Sequence, residues 1–305
     1  MPRSYRYLHY DVFTDHLFGG NQLAVFLDGR GLASETMQAI AKEMNFSEST
    51  FVLPASRPDT DTRMRIFTPG EELPMAGHPT IGSTFALARA GVIEPARDRF
   101  VFELGIGPVP VALTWRGSDL SFAWMTQPNP TFSDPIADPS GAAAVLGLSE
   151  LAVAGTALPV QVVSCGVPFL FVPLATRAAV DSAALQRDRY EQFREAAKIQ
   201  AHGVFIFSPQ SGSDKATVYS RMFAPDIGVV EDPATGSASG PLGCYLLRHN
   251  VVSEEKARAI LSLQGAKMGR ASHVHISIGA ANGEITSVRV GGEAVLAGEG
   301  TLYLS

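Results

Sequence analysis

The stretch HPTIGS at residues 78–83 occurs a second time, in altered form, as DPATGS at residues 232–237. The two copies start 154 residues apart (232 − 78), and their proline, glycine and serine fall in register. An echo precedes them, because RIFTP at residues 65–69 matches RMFAP at residues 221–225 at an offset of 156 (221 − 65). A repeat of about half the chain length predicts two related halves, each with one loop that leads into a helix.

The composition is that of a well-packed protein without a nucleic-acid partner. The 305 residues are enough for two domains of ordinary size, and 46% of them are hydrophobic while 18% are charged. A formal net charge of −6 argues against nucleic-acid binding, because phosphate contacts need a basic surface. The two cysteines, Cys165 and Cys244, form no CxxC pair, so neither a zinc site nor a disulfide scaffold is expected. We find no signal-peptide or membrane-spanning pattern and expect a cytoplasmic protein without a membrane partner.

Most of the chain has the pattern of β-strands. Strands are predicted at residues 5–13, 22–27, 50–53, 62–67, 100–115, 160–164, 169–172, 204–207, 216–223, 273–278 and 301–304. Helices are predicted at residues 34–44, with Ser34 as the N-cap, at 79–90, with Gly91 as the stop, and at 237–248. The last two helices are apolar on nearly every side, which predicts that both are buried. Pro241 predicts a kink or a later regular start in the third helix.

A proline-rich polar segment divides the chain. Residues 127–139 carry four prolines, which is typical of a linker. We therefore predict an N-terminal half at residues 1–127 and a C-terminal half at residues 128–294, with the active site in the cleft between them. The last strand, at about residues 295–305, either joins the N-terminal half or stays with the C-terminal half, and the sequence leaves both open.

The two helix starts carry ionisable residues at matching positions of the repeat, His78 and Asp232. The free N–H groups and the dipole of a helix start attract an anion such as a carboxylate. Gly82 and Gly236 would let a ligand approach the backbone, and Ser237 offers a hydroxyl group. The structural alternative is that Asp232 serves as a helix N-cap and that the glycines allow close helix packing. Because both copies carry an ionisable residue, we favour a site that holds an anion between acid/base groups.

Glu48 is a further candidate, because it lies between a predicted helix and an apolar strand. A carboxyl group buried at a strand entry has a raised pKa and can act as a general base near neutral pH. The alternative is an exposed loop glutamate, as most glutamates are. The offset of 154 pairs Glu48 with His202 (202 − 48), for which the pattern indicates no role. No motif favours a metal ion or an organic cofactor, since no GxGxxG follows a strand and no set of metal ligands has a suitable spacing.

The sequence resembles the PhzF family, which comprises the phenazine-biosynthesis isomerase and its relatives. The matching stretches are EMNFSESTFVL (43–53), RIFTP (65–69), ELPMAGHPT (72–80), RMF (221–223), EDPATGSA (231–238), and QG followed by GR (264–265 and 269–270). They keep the family's order and span nearly the whole chain. GNQ at residues 20–22 departs from the Gly-Asn-Pro that is usual in the family.

The resemblance implies the diaminopimelate-epimerase-like fold, which is of the α+β class. In this fold two pseudo-symmetric halves, each a curled and mostly antiparallel sheet around a central helix, enclose the active site. The family is cofactor-independent and commonly forms a homodimer, and we expect both properties here. The family's catalytic glutamate falls on Glu48, and its supporting histidine, aspartate and serine fall on His78, Asp232 and Ser237. We expect Glu48, His78 and Asp232 to be catalytic, and Gly77, Gly236 and Ser237 to bind the substrate.

We therefore expect an isomerase that moves a proton within a small cyclic carboxylate, similar to trans-2,3-dihydro-3-hydroxyanthranilate, by general acid/base catalysis. Two alternatives stay open: an amino-acid epimerase or racemase, and a carboxylate-binding relative without turnover. In the fold's cysteine-based racemases two thiols occupy the places of His78 and Asp232. The residues present here argue against two-thiol racemisation.

Overall fold

The computed structural model describes residues 3–304. Its strands are β1 (Arg3–Val12), β2 (Asn21–Phe26), β3 (Glu48–Leu53), β4 (Thr62–Phe67), β5 (Glu72–Leu73), β6 (Arg99–Leu104), β7 (Gly107–Arg116), β8 (Asp119–Gln127), β9 (Thr131–Phe132), β10 (Gln161–Ser164), β11 (Pro168–Pro173), β12 (Val204–Ser208), β13 (Val218–Ala224), β14 (Val229–Asp232), β15 (Ile260–Gln264), β16 (Ser272–Ala281), β17 (Glu284–Gly292) and β18 (Ala294–Leu304). Its helices are α1 (Ser34–Met44), α2 (Gly77–Arg89), α3 (Pro139–Val145), α4 (Leu151–Ala154), α5 (Arg177–Ser182), α6 (Arg187–Ala196), α7 (Gly236–Arg248) and α8 (Glu254–Ala257), with 3₁₀ turns at Pro225–Ile227 and Ala266–Met268. Residues 1, 2 and 305, at the ends of the predicted N-terminal half and last strand, lie outside the described residues.

The strands of the first half pair in an order that the second half repeats. In the first half the neighbours run β1-β2-β3-β4-β6-β7-β8, with parallel pairing at β2–β3 and at β4–β6. In the second half they run β10-β11-β12-β13-β15-β16-β17, with parallel pairing at β11–β12 and at β13–β15. The shared order confirms the predicted α+β fold of two pseudo-symmetric, mostly antiparallel halves.

The two halves are joined along β8 and β17, which pair antiparallel. Each half is also extended by one more strand. β9 follows the first half in sequence but pairs with β10 of the second half, and β18 follows the second half but pairs with β1 of the first half. The last strand, β18, agrees with the predicted residues 295–305 and lies beside the first strand of the chain. The division into domains at residue 127 stays a prediction.

Each sheet curls around one apolar helix. The helix α2 contacts β1, β2 and β8, and α7 contacts β10, β16 and β17, so each helix touches strands from both ends of its sheet. Gly77 through Leu87 of α2 and Gly236 through Leu246 of α7 are all buried. The prediction that both helices are buried is therefore confirmed. No helix within residues 3–304 is long and apolar enough to cross a lipid bilayer.

Several details of the predicted elements are wrong, while others are confirmed. The helix α1 has the predicted bounds, but its N-cap is Ala33 and no side chain caps it. Asp232 does not cap α7, because it ends β14 and the N-cap of the helix is Thr235. Gly91 follows the end of α2 with a φ of 72°, as expected of a glycine stop. The helix α7 is continuous through Pro241.

The strand predicted at residues 100–115 is two strands, β6 and β7, joined by a turn at residues 105–106. A run of strand-forming residues does not by itself reveal where a hairpin turns. The turn packs against the strand β5 region, where a Cβ atom on Gly105 would lie 2.8 Å from the Cα atom of Pro74.

The register of the repeat changes between the strands and the helices. Arg65 on β4 and Arg221 on β13 form equivalent bidentate pairs with Glu72 and Glu231. The two partners are 7 residues apart in the first half and 10 in the second. The second half therefore contains three more residues here, and a 3₁₀ turn at Pro225–Ile227 accommodates them.

This insertion raises the offset from 156 to 159, so that Gly77 corresponds to Gly236 (236 − 77). The first turns agree, since Thr80 Oγ1 donates to the carbonyl of Ala76 at 2.7 Å and Ser239 Oγ donates to the carbonyl of Thr235 at 2.9 Å. The alignment of HPTIGS with DPATGS is therefore wrong by five residues, although the two halves that it predicted are present.

Candidate active site

The starts of α2 and α7 meet with their backbones in contact. A Cβ atom on Gly77 would lie 2.4 Å from the Cα atom of Gly236, and one on Gly236 would lie 2.9 Å from the Cα atom of Gly77. A residue with a side chain cannot fit there unless the helices separate. The N-cap residues Ala76 and Thr235 make no side-chain capping hydrogen bond. The free N–H groups of two helix starts therefore lie side by side, where they favour an anion.

A narrow cavity of about 30 Å³ adjoins these helix starts. One set of lining residues is apolar: Leu73, Pro74, Met75, Val167, Phe169, Met222 and Val229. The other set is polar: Glu48, His202, Asp232, Thr235 and Ser237. Larger open grooves, such as one of about 520 Å³ beside Arg248, lie away from the predicted acid/base residues. The combination of an apolar wall with ionisable groups singles out the smaller cavity as the candidate site.

Glu48 is the first residue of β3 and lines the cavity. The residue is 8% exposed, so the alternative of a loop glutamate in open solvent is wrong. Its Oε2 lies 3.3 Å from Nε2 of His78 but is not aligned for a hydrogen bond, and it has no partner among the described residues. Burial, and secondly the charge of Asp232, raise the pKa of Glu48 well above its ordinary value.

Asp232 lies among hydrogen-bond donors. Its Oδ1 accepts from Nδ2 of Asn21 at 2.6 Å, and its Oδ2 accepts from Oγ1 of Thr235 at 2.5 Å. Burial raises the pKa of Asp232 to about 6, and hydrogen bonds from Thr235, Ser47 and Asn21 oppose the rise. Because the donors surround Asp232 and none reaches Oε2 of Glu48, we assign the negative charge to Asp232 when the pair holds one proton.

His78 lies in the first turn of α2 and is 2% exposed. Burial lowers the pKa of this imidazole to about 3, so it is neutral at neutral pH. Its Nδ1 is 3.1 Å from Nδ2 of Asn21. The short distance to Glu48 is therefore a contact with a neutral ring rather than an ion pair.

Asn21 and Gln264 connect the parts of the site, and the sequence assigned a role to neither. Besides its contact with Asp232, the amide nitrogen of Asn21 donates to the carbonyl of Ala234 at 2.9 Å. Nε2 of Gln264 donates to the carbonyl of Asp232 at 2.7 Å, and its Oε1 accepts from the N–H of Thr235 at 3.1 Å. Both residues lie in stretches compared with the PhzF family, GNQ and QG, and this was the available signal.

The remaining candidates divide between the cavity and the core. Ser237 is 8% exposed and lines the cavity. A Cβ atom on Gly82 would lie 2.6 Å from side-chain atoms of Leu23 and Val12, so Gly82 serves helix packing, as the structural alternative held. The structure thus brings Glu48 and Asp232 together with the helix starts, and their catalytic roles stay a prediction. Within the described part of the chain, no cluster of three or more His, Cys, Asp or Glu side chains could hold a metal ion.

Comparisons with known proteins agree with this architecture. The chain is 38% identical to the trans-2,3-dihydro-3-hydroxyanthranilate isomerase of Pseudomonas aeruginosa over 300 residues, which cover 98% of this chain and 100% of the relative. It is similar to the crystal structure of a PhzF-family phenazine biosynthesis protein from Bacillus anthracis, with a TM-score of 0.85, 27% identity, and coverage of 98% and 99% of the two chains. A probable proline racemase from Agrobacterium radiobacter shares the fold, with a TM-score of 0.70, 13% identity, and coverage of 99% and 93%.

The family model described as PhzC-PhzF, phenazine biosynthesis-like protein, matches residues 10–300. This match extends over both pseudo-symmetric halves and includes every candidate site residue. The resemblance inferred from the sequence motifs is therefore confirmed. The chain belongs to the PhzC-PhzF family of phenazine biosynthesis-like proteins and is an isomerase of the PhzF type.

Proposed function

We propose that this isomerase moves a proton between two carbon atoms of a small cyclic carboxylate similar to trans-2,3-dihydro-3-hydroxyanthranilate. The observation that carries the proposal is the setting of Glu48, whose buried carboxyl group lines the cavity and whose Oε2 has no hydrogen-bond partner within residues 3–304. The apolar wall suits a carbon ring, and the free N–H groups of the helix starts suit a carboxylate. The name of the Pseudomonas aeruginosa relative supports this class of substrate.

In the proposed reaction Glu48 acts first as a base and then as an acid. Its carboxylate takes a proton from one ring carbon, and the electron pair of the broken C–H bond enters the conjugated system. The carboxylic acid so formed returns the proton to a second carbon of the same system. The two transfers balance in protons and electrons, so the proposed steps need no cofactor. The raised pKa of Glu48 suits the first transfer, because a carboxylate whose pKa is raised accepts a proton more readily than an ordinary one. The second transfer returns the same proton.

The neighbouring groups hold the ligand and adjust Glu48. Asp232 accepts a hydrogen bond from an amino or hydroxyl group of the ligand, and its charge helps to raise the pKa of Glu48. His78 presents a neutral imidazole beside Glu48. Ser237 and the free N–H groups of α2 and α7 bind the carboxylate. We also retain the prediction of a homodimer, which the resemblance implies, and the prediction of a cytoplasmic location, which the composition suggested.

The test is the substitution Glu48→Gln, which keeps the size of the side chain and removes its ability to exchange a proton. General acid–base help contributes about 10² to 10⁴-fold to a rate, so we expect turnover to fall on the order of 10³-fold. Incorporation of deuterium from D₂O into the ligand should disappear as well. Both are measured by NMR and mass spectrometry on trans-2,3-dihydro-3-hydroxyanthranilate.

The matched control is Glu35→Gln on the exposed side of α1, which should keep the rate and the deuterium incorporation of the native protein. Circular dichroism and the melting temperature should be similar in all three proteins. Full deuterium exchange in the Glu48→Gln protein would remove Glu48 from the mechanism.

Two other functions are distinguishable by experiment. An amino-acid epimerase would interconvert D and L forms in a panel of amino acids, and the likeness to a proline racemase at 13% identity concerns the fold alone. Cys165 and Cys244 are buried and absent from the cavity lining, so a two-thiol mechanism gains no support. A carboxylate-binding relative would bind ligand in calorimetry without exchanging any of its protons.

A further inference from the structure

His202 lines the cavity but has no part in the proposed acid/base set. The residue is half-buried and lies two positions before β12, with Gly203 between them. The N–H of His202 donates to the carbonyl of Pro168 at 2.9 Å, and the N–H of Leu170 donates to the carbonyl of Gly203 at 3.0 Å. These two backbone bonds anchor the chain to β11, so the sheet sets the position of His202 at the cavity.

The repeat relates this position to the place where Glu48 enters the site. Equivalent cross-strand pairs are Ser49↔Phe67 on β3 and β4, and Val204↔Phe223 on β12 and β13. By this register Glu48 corresponds to Gly203, and Ser47 corresponds to His202. The match of Glu48 with His202 predicted from the sequence is therefore wrong by one residue. Glu48 at the start of β3 and His202 shortly before β12 thus reach one cavity from the two halves. The first half supplies a carboxyl group there, and the second half supplies an imidazole.

The imidazole of His202 is free to bind a ligand. Among residues 3–304 it makes no side-chain hydrogen bond and no ion pair, and its hydrogen bond to Pro168 uses the backbone alone. The other polar lining residues carry carboxyl or hydroxyl groups, namely Glu48, Asp232, Thr235 and Ser237. Neither lysine nor arginine lines the cavity within the described part of the chain. His202 is therefore the lining side chain that can carry a positive charge.

We propose that His202 is a specificity-determining residue that binds the carboxylate of the substrate. The inference rests on the proposed function of the same cavity. A ligand carboxylate brings a negative charge close to two protein carboxyl groups, and the repulsion must be offset by donors. An imidazole N–H supplies one donor in either protonation state and becomes a charged donor when protonated. With the N–H groups of the helix starts, it would let the site distinguish a carboxylate from a neutral group of the same shape.

The experiment compares two ligands that differ in charge and have nearly the same shape, cyclohex-1-ene-1-carboxylate and cyclohex-1-ene-1-carboxamide. Their dissociation constants are measured by calorimetry with the native protein, His202→Ala and His202→Gln. The control is His273→Ala, which removes a half-buried histidine from a separate surface pocket.

Loss of a hydrogen bond to a charged group corresponds to about tenfold or more in affinity. We expect His202→Ala to weaken carboxylate binding by about that factor and to change carboxamide binding by less than about threefold. His202→Gln, which keeps an N–H donor, should recover part of the loss, and His273→Ala should bind as the native protein does. With a turned-over substrate, His202→Ala should raise KM more than it lowers kcat.

Two results would contradict the inference in different ways. Equal effects of His202→Ala on the two ligands, or no effect, would overturn the role of His202 and leave the proposed function intact. Failure of the native protein to bind the carboxylate at all would count against the proposed function and the inference together.

Discussion

Glu48 and Asp232 both carry carboxyl groups, but their surroundings give them different roles. Both carboxyl groups are buried, and burial raises the pKa of each. Asn21 and Thr235 donate hydrogen bonds to Asp232, whereas Oε2 of Glu48 has no partner among the described residues. As the pH rises we therefore expect Asp232 to lose its proton first and Glu48 second. The group that ionises last is the one suited to accept and return a proton.

Asp232→Asn should move the acid limb of the pH profile. The charge of Asp232 raises the pKa of Glu48, so its removal makes Glu48 easier to ionise and lowers that pKa. The rise of kcat/KM with pH reports ionisation of the base in the free enzyme. It should therefore occur at lower pH in Asp232→Asn than in the native protein, although the maximal rate falls.

A ¹³C NMR titration of the glutamate carboxyl groups measures the same shift without turnover. The Glu48→Gln protein identifies the signal of Glu48 by its absence. An acid limb and a carboxyl signal that titrate at the same pH in Asp232→Asn as in the native protein would contradict the coupling of the two groups.

Asn21→Ala should impair the site more than it impairs the fold. The amide of Asn21 contacts Nδ1 of His78, Oδ1 of Asp232 and the carbonyl of Ala234, so its loss leaves buried polar groups without a partner. Leaving such a group unpaired costs about 1–3 kcal/mol. We expect a loss of that size in the free energy of unfolding and a fall in kcat that exceeds the change in KM.

Urea unfolding and steady-state kinetics measure the two effects. Asn129→Ala, at an exposed position of the segment after β8, is the control and should change neither quantity. A loss of stability in Asn21→Ala with unchanged kcat would mean that Asn21 holds the fold and does not position the acid/base groups.

At the scale of the elements, the site depends on two helices that begin in contact. Glycine at residues 77 and 236 allows the backbones to approach, and the absence of side-chain caps leaves N–H groups free for a ligand. An ordinary helix start would satisfy one of these groups with a Ser, Thr, Asp or Asn side chain. The two helix starts thus lack a stabilising side-chain cap at the place where a ligand would bind.

Gly77→Ala should damage the site, and Gly82→Ala in the same helix should damage the packing. A methyl group at residue 77 would collide with backbone atoms of the other helix, which must move away. A methyl group at residue 82 would meet the side chains of Leu23 and Val12, at a cost of about 1–3 kcal/mol. We expect ligand affinity and kcat to fall sharply in Gly77→Ala, whereas Gly82→Ala loses stability but retains activity in its folded fraction.

Calorimetry with cyclohex-1-ene-1-carboxylate and thermal unfolding separate the two substitutions. Native-like affinity in a stably folded Gly77→Ala protein would show that the contact between the helix starts is not needed for the site.

The sequence could predict the elements that local patterns define. It failed where contacts between residues distant in sequence determine the structure. The bounds of α1 and the glycine stop after α2 follow from apolar spacing and from the conformational freedom of Gly91. The hairpin between β6 and β7 and the three residues inserted before β14 depend on neighbouring strands, so the repeat was aligned wrongly at the helices. Asn21 was missed for a similar reason, because its partners lie up to 213 residues away in sequence.

At the scale of the whole molecule, duplication explains why the site lies where it does. Each half curls a sheet around one helix, and the strands β8 and β17 pair between the halves. The two helix starts are thereby brought together, and Glu48 at the start of β3 and His202 shortly before β12 reach the same cavity. The halves are no longer equivalent in chemistry, since one supplies Glu48 and His78 while the other supplies His202, Asp232 and Ser237. This asymmetry suits the proposed substrate, a ring whose substituents differ.

A crystal structure of the Glu48→Gln protein with cyclohex-1-ene-1-carboxylate would locate the ligand relative to residue 48 and the two helix starts. We predict the carboxylate at hydrogen-bond distance from first-turn N–H groups of α2 or α7, and a ring carbon about 3–3.5 Å from the side chain of residue 48. A ligand bound in another groove, such as the one beside Arg248, or a ring that points away from residue 48, would contradict this prediction.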